Sequence, residues 1–229
     1  MKRLSALKFI GRALGSRNYR LFFCGQIVSL IGTWMQHIAM SWLVYRLTGS
    51  GSMLGLVTAA GQISVFLLTP FTGVFVDRIY RRNLLITTQV LCGLQASLLA
   101  FLTLSGHIQV WHIFFLSLFL GTVNAFDMPA RHSFVIEMVE DKKDLGNAIA
   151  LNSAMFNSAR LVGPSIAGVL VGALGEGICF LLNAISFLAI IFTLTAMKIP
   201  KKETKIEHPP VLQGLNEGFR YVRNFRPIL

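Results

Sequence analysis

Apolar residues fall along this chain in six blocks, each about as long as a bilayer core is thick. The blocks are Leu21–Tyr45, Met53–Val76, Leu84–Leu104, Ile108–Phe126, Asn147–Gly172 and Ile178–Met197. A hydrocarbon core near ~30 Å takes about 20 residues of helix, so each block predicts one membrane-crossing helix. Three connections are short and rich in Gly and Ser: Arg46–Ser52, Ser105–His107 and Ala173–Gly177. Such turns set neighbouring helices antiparallel. The alternate connections carry charge. The longest, Met128–Gly146, contains Pro129 and offers Asp144 as N-cap of the fifth helix. The pattern therefore predicts an all-α integral membrane protein: a basic segment at 1–20, a bundle of six transmembrane helices over 21–197, and a tail at 198–229. In the tail, Lys201–Pro210 reads as extended, while Leu212, Leu215, Phe219 and Val222 recur at helical spacing. That is an amphipathic helix for the membrane surface. It closes on Pro227, Ile228 and Leu229, at the expected start of a seventh span.

Composition agrees with a lipid solvent. The 229 residues are 54% hydrophobic and 14% charged, with mean hydropathy +0.63, whereas soluble domains carry roughly a quarter charged residues. A formal charge of +11 raises the question of nucleic acid. Its placement answers otherwise. All but two of the 21 Lys and Arg residues, Arg46 and Arg160, lie in segments that share one side if the N-terminus is inside. This asymmetry is the positive-inside signal and predicts both termini in the cytoplasm. It serves orientation and anionic lipid heads rather than nucleic acid. Cys24, Cys92 and Cys179 sit in or beside different blocks without metal or disulfide spacing and read as packing residues. Arg12, Arg17 and Arg20 interrupt any signal-peptide core. No cofactor or metal site is expected. No Gly-x-Ser turn with a histidine on another span supports an intramembrane hydrolase.

The most specific local pattern closes the second block: Gly73, then Asp77, Arg78, Arg81 and Arg82 within GVFVDRIYRRN. Arginines alone would make an ordinary cytoplasmic loop. The glycine permits close helix approach, and the acid at the membrane edge calls for a helix N-terminus or an arginine to neutralise it. A second pattern lies in ARLVGPSIAG, with Gly163, Pro164 and Gly168 among the small residues Ala150, Ala159 and Ala167. Small residues let helices approach, and Pro164 removes a helical hydrogen bond and bends the helix.

On these residues the chain resembles the N-terminal half of a major facilitator superfamily transporter. The turn is similar to the family signature G-x-x-x-D-R-x-G-R-R, departing at Tyr80, where the signature has Gly. The ARLVGPSIAG stretch is similar to the antiporter motif of the family's fifth helix. RNYRLFFCGQIVSLIGTWMQHIAMSWLVYRLTGS, NAFDMPARHSFVIEMV and NAIALNSAMFNSARLVGPSIAG resemble the siderophore-exporter branch, the enterobactin exporter and its relatives. The resemblance implies alternating access by two six-helix halves in the bacterial inner membrane, coupled to protons. It also implies a gating role for Gly73, Asp77, Arg78, Arg81 and Arg82, clasping the other half in one state, and an antiporter-like motif at Arg160, Gly163, Pro164 and Gly168. A multidrug antiporter, or a non-transporting scaffold or sensor, is the alternative.

Polar residues inside the blocks are the candidates for a cargo cavity. Gln26, Ser29, Thr33, His37 and Met40 share one face of the first helix, and Ser153, Asn157, Arg160, Pro164 and Gly168 one face of the fifth. Gln62, Asn124 and Asn183 add points on other helices. Arg160 lies near mid-membrane, where a charge marks function by default. Asp127, at the inner end of the fourth block, is expected to join Arg78 or Arg131 in the cytoplasmic clasp. No acid lies mid-span, so the expected cargo is a small polar or anionic molecule, such as a catecholate or hydroxamate chelator. The expected partners are that cargo, the lipid bilayer, and a C-terminal six-helix half or a second copy of the chain, with truncation anticipated.

Overall fold

A computed structural model describes residues 12–76, 78–139 and 142–198. The surface helix expected in the tail, most of the N-terminal basic segment and Asp77 lie outside the described residues. Six long helices account for nearly all of the rest: α1 (Arg17–Thr48), α2 (Gly51–Val76), α3 (Arg81–Leu104), α4 (Val110–Met138), α5 (Leu145–Leu174) and α6 (Glu176–Ala196). Each is long and apolar enough to cross a membrane. There is no strand among the described residues. Short 3-10 turns at Ala13–Gly15 and Lys142–Asp144 lead into α1 and α5. Asp144 does occupy the N-cap of α5, but its side chain makes no cap hydrogen bond; it sits 3.7 Å from Arg12 instead. The reversals at the opposite end rest on glycines with left-handed backbone, Gly49, Gly106 and Gly175. Gly175 alone separates α5 from α6, a conformation that disfavours any side chain.

The fourth helix departs most from expectation. Met128–Gly146 reads as a connection, yet α4 runs unbroken through Pro129 to Met138. Proline removes one hydrogen bond, and the turns beyond it are held by burial: Phe134, Val135 and Met138 are all in the core. Phe22 of α1 meets Phe134 edge-on with centroids 6.4 Å apart. The other helices begin or end within a few residues of the apolar blocks.

Packing arranges the helices in a row: α2, α4, α3, α6, α1, α5, each in its main contact with the next. The row is symmetric. Exchanging the first three helices for the last three turns it into its own reverse, the arrangement of two inverted three-helix repeats. Small residues make the contacts close. A Cβ on Gly121 of α4 would lie 2.9 Å from Ser64 Cβ of α2, and one on Gly163 of α5 would lie 2.6 Å from Trp34 Cβ of α1. These two crossings are repeat equivalents. The end helices of the row bury little: 17% and 22% of their apolar windows for α2 and α5, against 44–50% for the other four. A single stripe of each is packed, and the rest faces outward.

Two polar devices hold the bundle. At mid-depth, Gln36 of α1 donates to Gln95 of α3 at 2.9 Å and accepts from Asn183 of α6 at 2.8 Å. Ser186 donates to Asn183 Oδ1 at 2.9 Å. Buried amides bonded across helices fix register. At the end remote from the arginine turn, Arg46 closing α1 grips Glu176 opening α6 through two bonds of 2.8 and 3.1 Å. Each charge also suits its helix dipole. Arg46→Ala strands the buried carboxylate and is expected to cost about 2 kcal/mol. The readout is a lower melting temperature in detergent, with Arg46→Lys only partly protective because lysine cannot form the fork.

Candidate functional site

Two groups of polar side chains stand out, one at the basic end of the bundle and one on the open side of α1. At the basic end, the turn after α2 delivers Arg81 and Arg82 to the start of α3. Arg82 donates to the carbonyls of Leu194 and Thr195 at 2.8 and 2.7 Å, capping the end of α6. Arg81 pairs with Glu137 of α4. Arg78 lies exposed in the turn itself and has partners of its own. Gly73 faces open space, with nothing within 4 Å of an added Cβ. Asp127 is 2% exposed and belongs to the interior of α4 rather than to its end. It pairs with Arg131 one turn on, and accepts from Thr88 and Gln89 of α3, each at 2.7 Å. Of the two arginines expected for it, Arg131 is the partner. The arginine turn is thus tied to α4 and α6, and a buried carboxylate locks α4 to α3 beside it.

The second group lies on α1. Gly25 and Gly32 face α6, where an added Cβ would meet Thr193 and Ser186. Helical geometry turns Trp34 to the opposite side, and there it meets α5. Phe156 stands edge-on to Trp34 at 5.6 Å with an interplanar angle of 74°. The Arg160 guanidinium lies over the Trp34 ring, 5.5 Å from its centroid, and His37 is 5.8 Å from Trp34, ring to ring. His37, Phe156 and Arg160 are exposed on the side of the row that no helix of this bundle covers. The site sits at mid-depth, since Trp34 is two residues from Gln36 of the amide core. Each acid among the described residues is engaged elsewhere: Asp127 by Arg131, Glu137 by Arg81, Asp144 by Arg12, Glu176 by Arg46. None is left to neutralise Arg160.

The expected cavity face of α1 is divided. Thr33 is half-buried and His37 exposed, but Gln26 and Ser29 are buried inside the bundle and Met40 packs against Ser117 of α4. The reason is that α4 and α5 close on α1 at the basic end, where Tyr19 donates to the Ala148 carbonyl at 2.8 Å, and part only further along. Asn183 is wholly buried in the amide core and lines no cavity. Gln62 is exposed on α2, Asn124 half-buried on α4, and Asn157 exposed on α5, donating to the Ser153 carbonyl at 2.8 Å. In the fifth-helix motif, Ala159, Gly163 and Ala167 seat α5 on α1. Ala150 and Gly168 look outward and Pro164 is half-buried. Reading the sequence missed Trp34 and Phe156 as site residues, and Glu137, Gln36 and Gln95 as partners. An aromatic residue four positions before a mid-span arginine, Phe156 before Arg160, was the one available signal.

Fold and site together define a multi-pass membrane protein of inverted three-helix repeats with one open, polar-studded side. The chain belongs to the major facilitator superfamily: residues 13–229 match the family described as transmembrane secretion effectors. Among curated relatives, it is 25% identical to the Staphyloferrin A transporter of Staphylococcus aureus over 81% of this chain and 48% of that protein. It is 26% identical to the multidrug efflux pump Tap of Mycolicibacterium fortuitum over 84% and 48%. To macrolide efflux protein A of Streptococcus pyogenes it is 21% identical over 90% and 52%. The chain spans about half the length of the curated relatives it matches.

Proposed function

We propose that the chain is one six-helix half of an alternating-access efflux transporter that exports a small polar or anionic molecule, such as a siderophore, in exchange for protons. The observation that carries this reading is Arg160, a mid-depth cation on the open side with no acid of the described residues to neutralise it. A charge at that depth is retained for a partner or a cargo. The outward faces of α2 and α5 would pack against a second six-helix half, on the same polypeptide or on a second copy. The two halves would rock about the site between them. Gly73, Asp77, Arg78, Arg81 and Arg82, with Asp127 and Arg131 behind them, form the gate in this scheme. Because Arg81 and Arg82 hold α4 and α6, displacing the turn displaces both helices. Of the remaining cavity candidates, Gln26 is buried inside the bundle, Thr33 and Asn124 are half-buried, and His37, Gln62 and Asn157 are exposed. The name of the staphylococcal relative supports a chelator as cargo, and the names of the other two support the second reading, multidrug efflux.

Two measurements test this. In the assembled transporter, Arg160→Gln should cut export of an anionic cargo at least tenfold at unchanged protein level; undiminished export sinks the cargo assignment. By the positive-inside rule, the proposed orientation has the basic end in the cytoplasm. A cysteine placed at Ile79, in a variant lacking Cys24, Cys92 and Cys179, should therefore resist impermeant thiol reagents in intact cells and react once the membrane is opened. Labelling in intact cells would reverse the threading.

A further inference from the structure

The corner formed by Trp34, Phe156, His37 and Arg160 constrains its ligand more narrowly than charge alone. We propose that it is a binding site for planar aromatic carboxylates; this rests on the reading above only in taking the open side of α1 as the cargo side. Three features of the geometry carry it. First, the Arg160 guanidinium carbon lies over the Trp34 ring, 5.5 Å from its centroid, and no acid of the described residues engages it. A guanidinium held by a ring rather than by an acid still has N–H donors to offer in a two-point grip on a carboxylate. Second, Trp34 and Phe156 meet at 74° with centroids 5.6 Å apart. Two rings near a right angle make a corner, and a flat ring entering it meets an edge of one and a face of the other, the arrangements that aromatic pairs favour. Phe156 and Arg160 are four residues apart on α5, one above the other, so ring and charge of a single ligand can be met together. Third, His37 approaches Trp34 from α1 itself, three residues on, at 5.8 Å. It closes the corner with a group that can donate to an anion. Every acid of the described residues is paired with an arginine, so no carboxylate is left at the corner to hold a cationic ligand.

The chain contains its own reporter. It has three tryptophans, and replacing Trp42 and Trp111 by phenylalanine leaves Trp34 as the sole indole. The experiment uses this variant of the 229-residue chain in detergent, titrated with 4-nitrobenzoate, a flat anion that quenches indole fluorescence on contact. Saturable quenching is expected. Benzoate should displace the probe, cyclohexanecarboxylate only at about tenfold higher concentration, and benzylamine not at all. Arg160→Gln should weaken the probe at least tenfold, as loss of a charge-assisted grip implies. Phe156→Leu should erase most of the preference for benzoate over cyclohexanecarboxylate while leaving the need for a carboxylate, which separates the role of the ring from that of the charge. Arg160 and Phe156 are exposed, so both variants should melt as the parent does. Quenching that never saturates, equal competition by the aromatic and alicyclic acids, or an unchanged affinity in Arg160→Gln overturns the proposal. Binding as expected without export in cells would instead fail the transport reading and leave this site standing.

Discussion

Replacing Gly163 by valine is expected to unseat α5 from α1 and to destabilise the bundle by roughly 3 kcal/mol, the upper range for forcing atoms into a packed contact. The first added carbon would lie 2.6 Å from Trp34 Cβ, 2.9 Å from the Ile31 carbonyl oxygen and 3.1 Å from the Met35 nitrogen. Two of these three are backbone atoms of a helix that is itself buried, so no side chain can swing aside. In lipid, apolar surface gains little from leaving the solvent, and helix association depends on such close fits. Little else retains α5, which buries 22% of its apolar window. Gly168→Val, five residues on, is the control. Nothing lies within 4 Å of its added carbon, and the bundle alone should tolerate it. The measurements are melting in detergent and crosslinking between cysteines placed on α1 and α5. A Gly163→Val protein that melts like its parent would show that the crossing has room the geometry denies it. Such a loss would also move Arg160 off Trp34, so binding of a carboxylate at that corner should fall with the packing.

The six helices were legible because hydrocarbon leaves no choice: every backbone group must be satisfied within the segment, and about 20 apolar residues in a row announce where. The end of α4 was not. Pro129 and the charges after it resemble a loop, and only burial of Phe134 and Met138 against α1 and its neighbours makes helix the better state there. Nor could the amide core be read. Gln36 finds Gln95 across 59 positions and Asn183 across 147, and three scattered amides carry no periodicity. The same limit misdirects the arginine turn. Its charges are visible in the sequence, but Arg82 binds carbonyl oxygens of α6, and every residue has a carbonyl. Arg160 was legible as an anomaly, a charge where charge is costly. What the sequence could not show was its neighbourhood, since Trp34 is an unremarkable apolar residue until α1 is rotated so that Gly25 and Gly32 face α6.

Asp127→Leu should be the more severe of two substitutions at the same atom positions, and the comparison with Asp127→Asn isolates why. The carboxylate receives Thr88, Gln89 and Arg131. Leucine keeps the branched shape, puts methyl groups where the oxygens were and removes every acceptor, stranding a half-buried guanidinium and the Gln89 amide, while Thr88 can fall back on the Leu85 carbonyl. Breaking a buried pair by deleting one partner costs about 3–5 kcal/mol, enough to abolish accumulation of a membrane protein of ordinary stability. Asparagine keeps Oδ1, the oxygen that accepts from both Thr88 and Gln89, and loses the charge and the oxygen that meets Arg131, so both α3 donors are still met while Arg131 is not. Its cost should be less than half that of leucine, read as melting temperature in detergent. A second-site change tests the mechanism: Arg131→Leu placed on Asp127→Leu removes the uncompensated cation, and the double variant should recover part of the loss. If Asp127→Leu is no worse than Asp127→Asn, or if removing Arg131 restores nothing, the carboxylate is not what binds α4 to α3. The polar tie behind the arginine turn would then have to be sought in Glu137 and its pairing with Arg81.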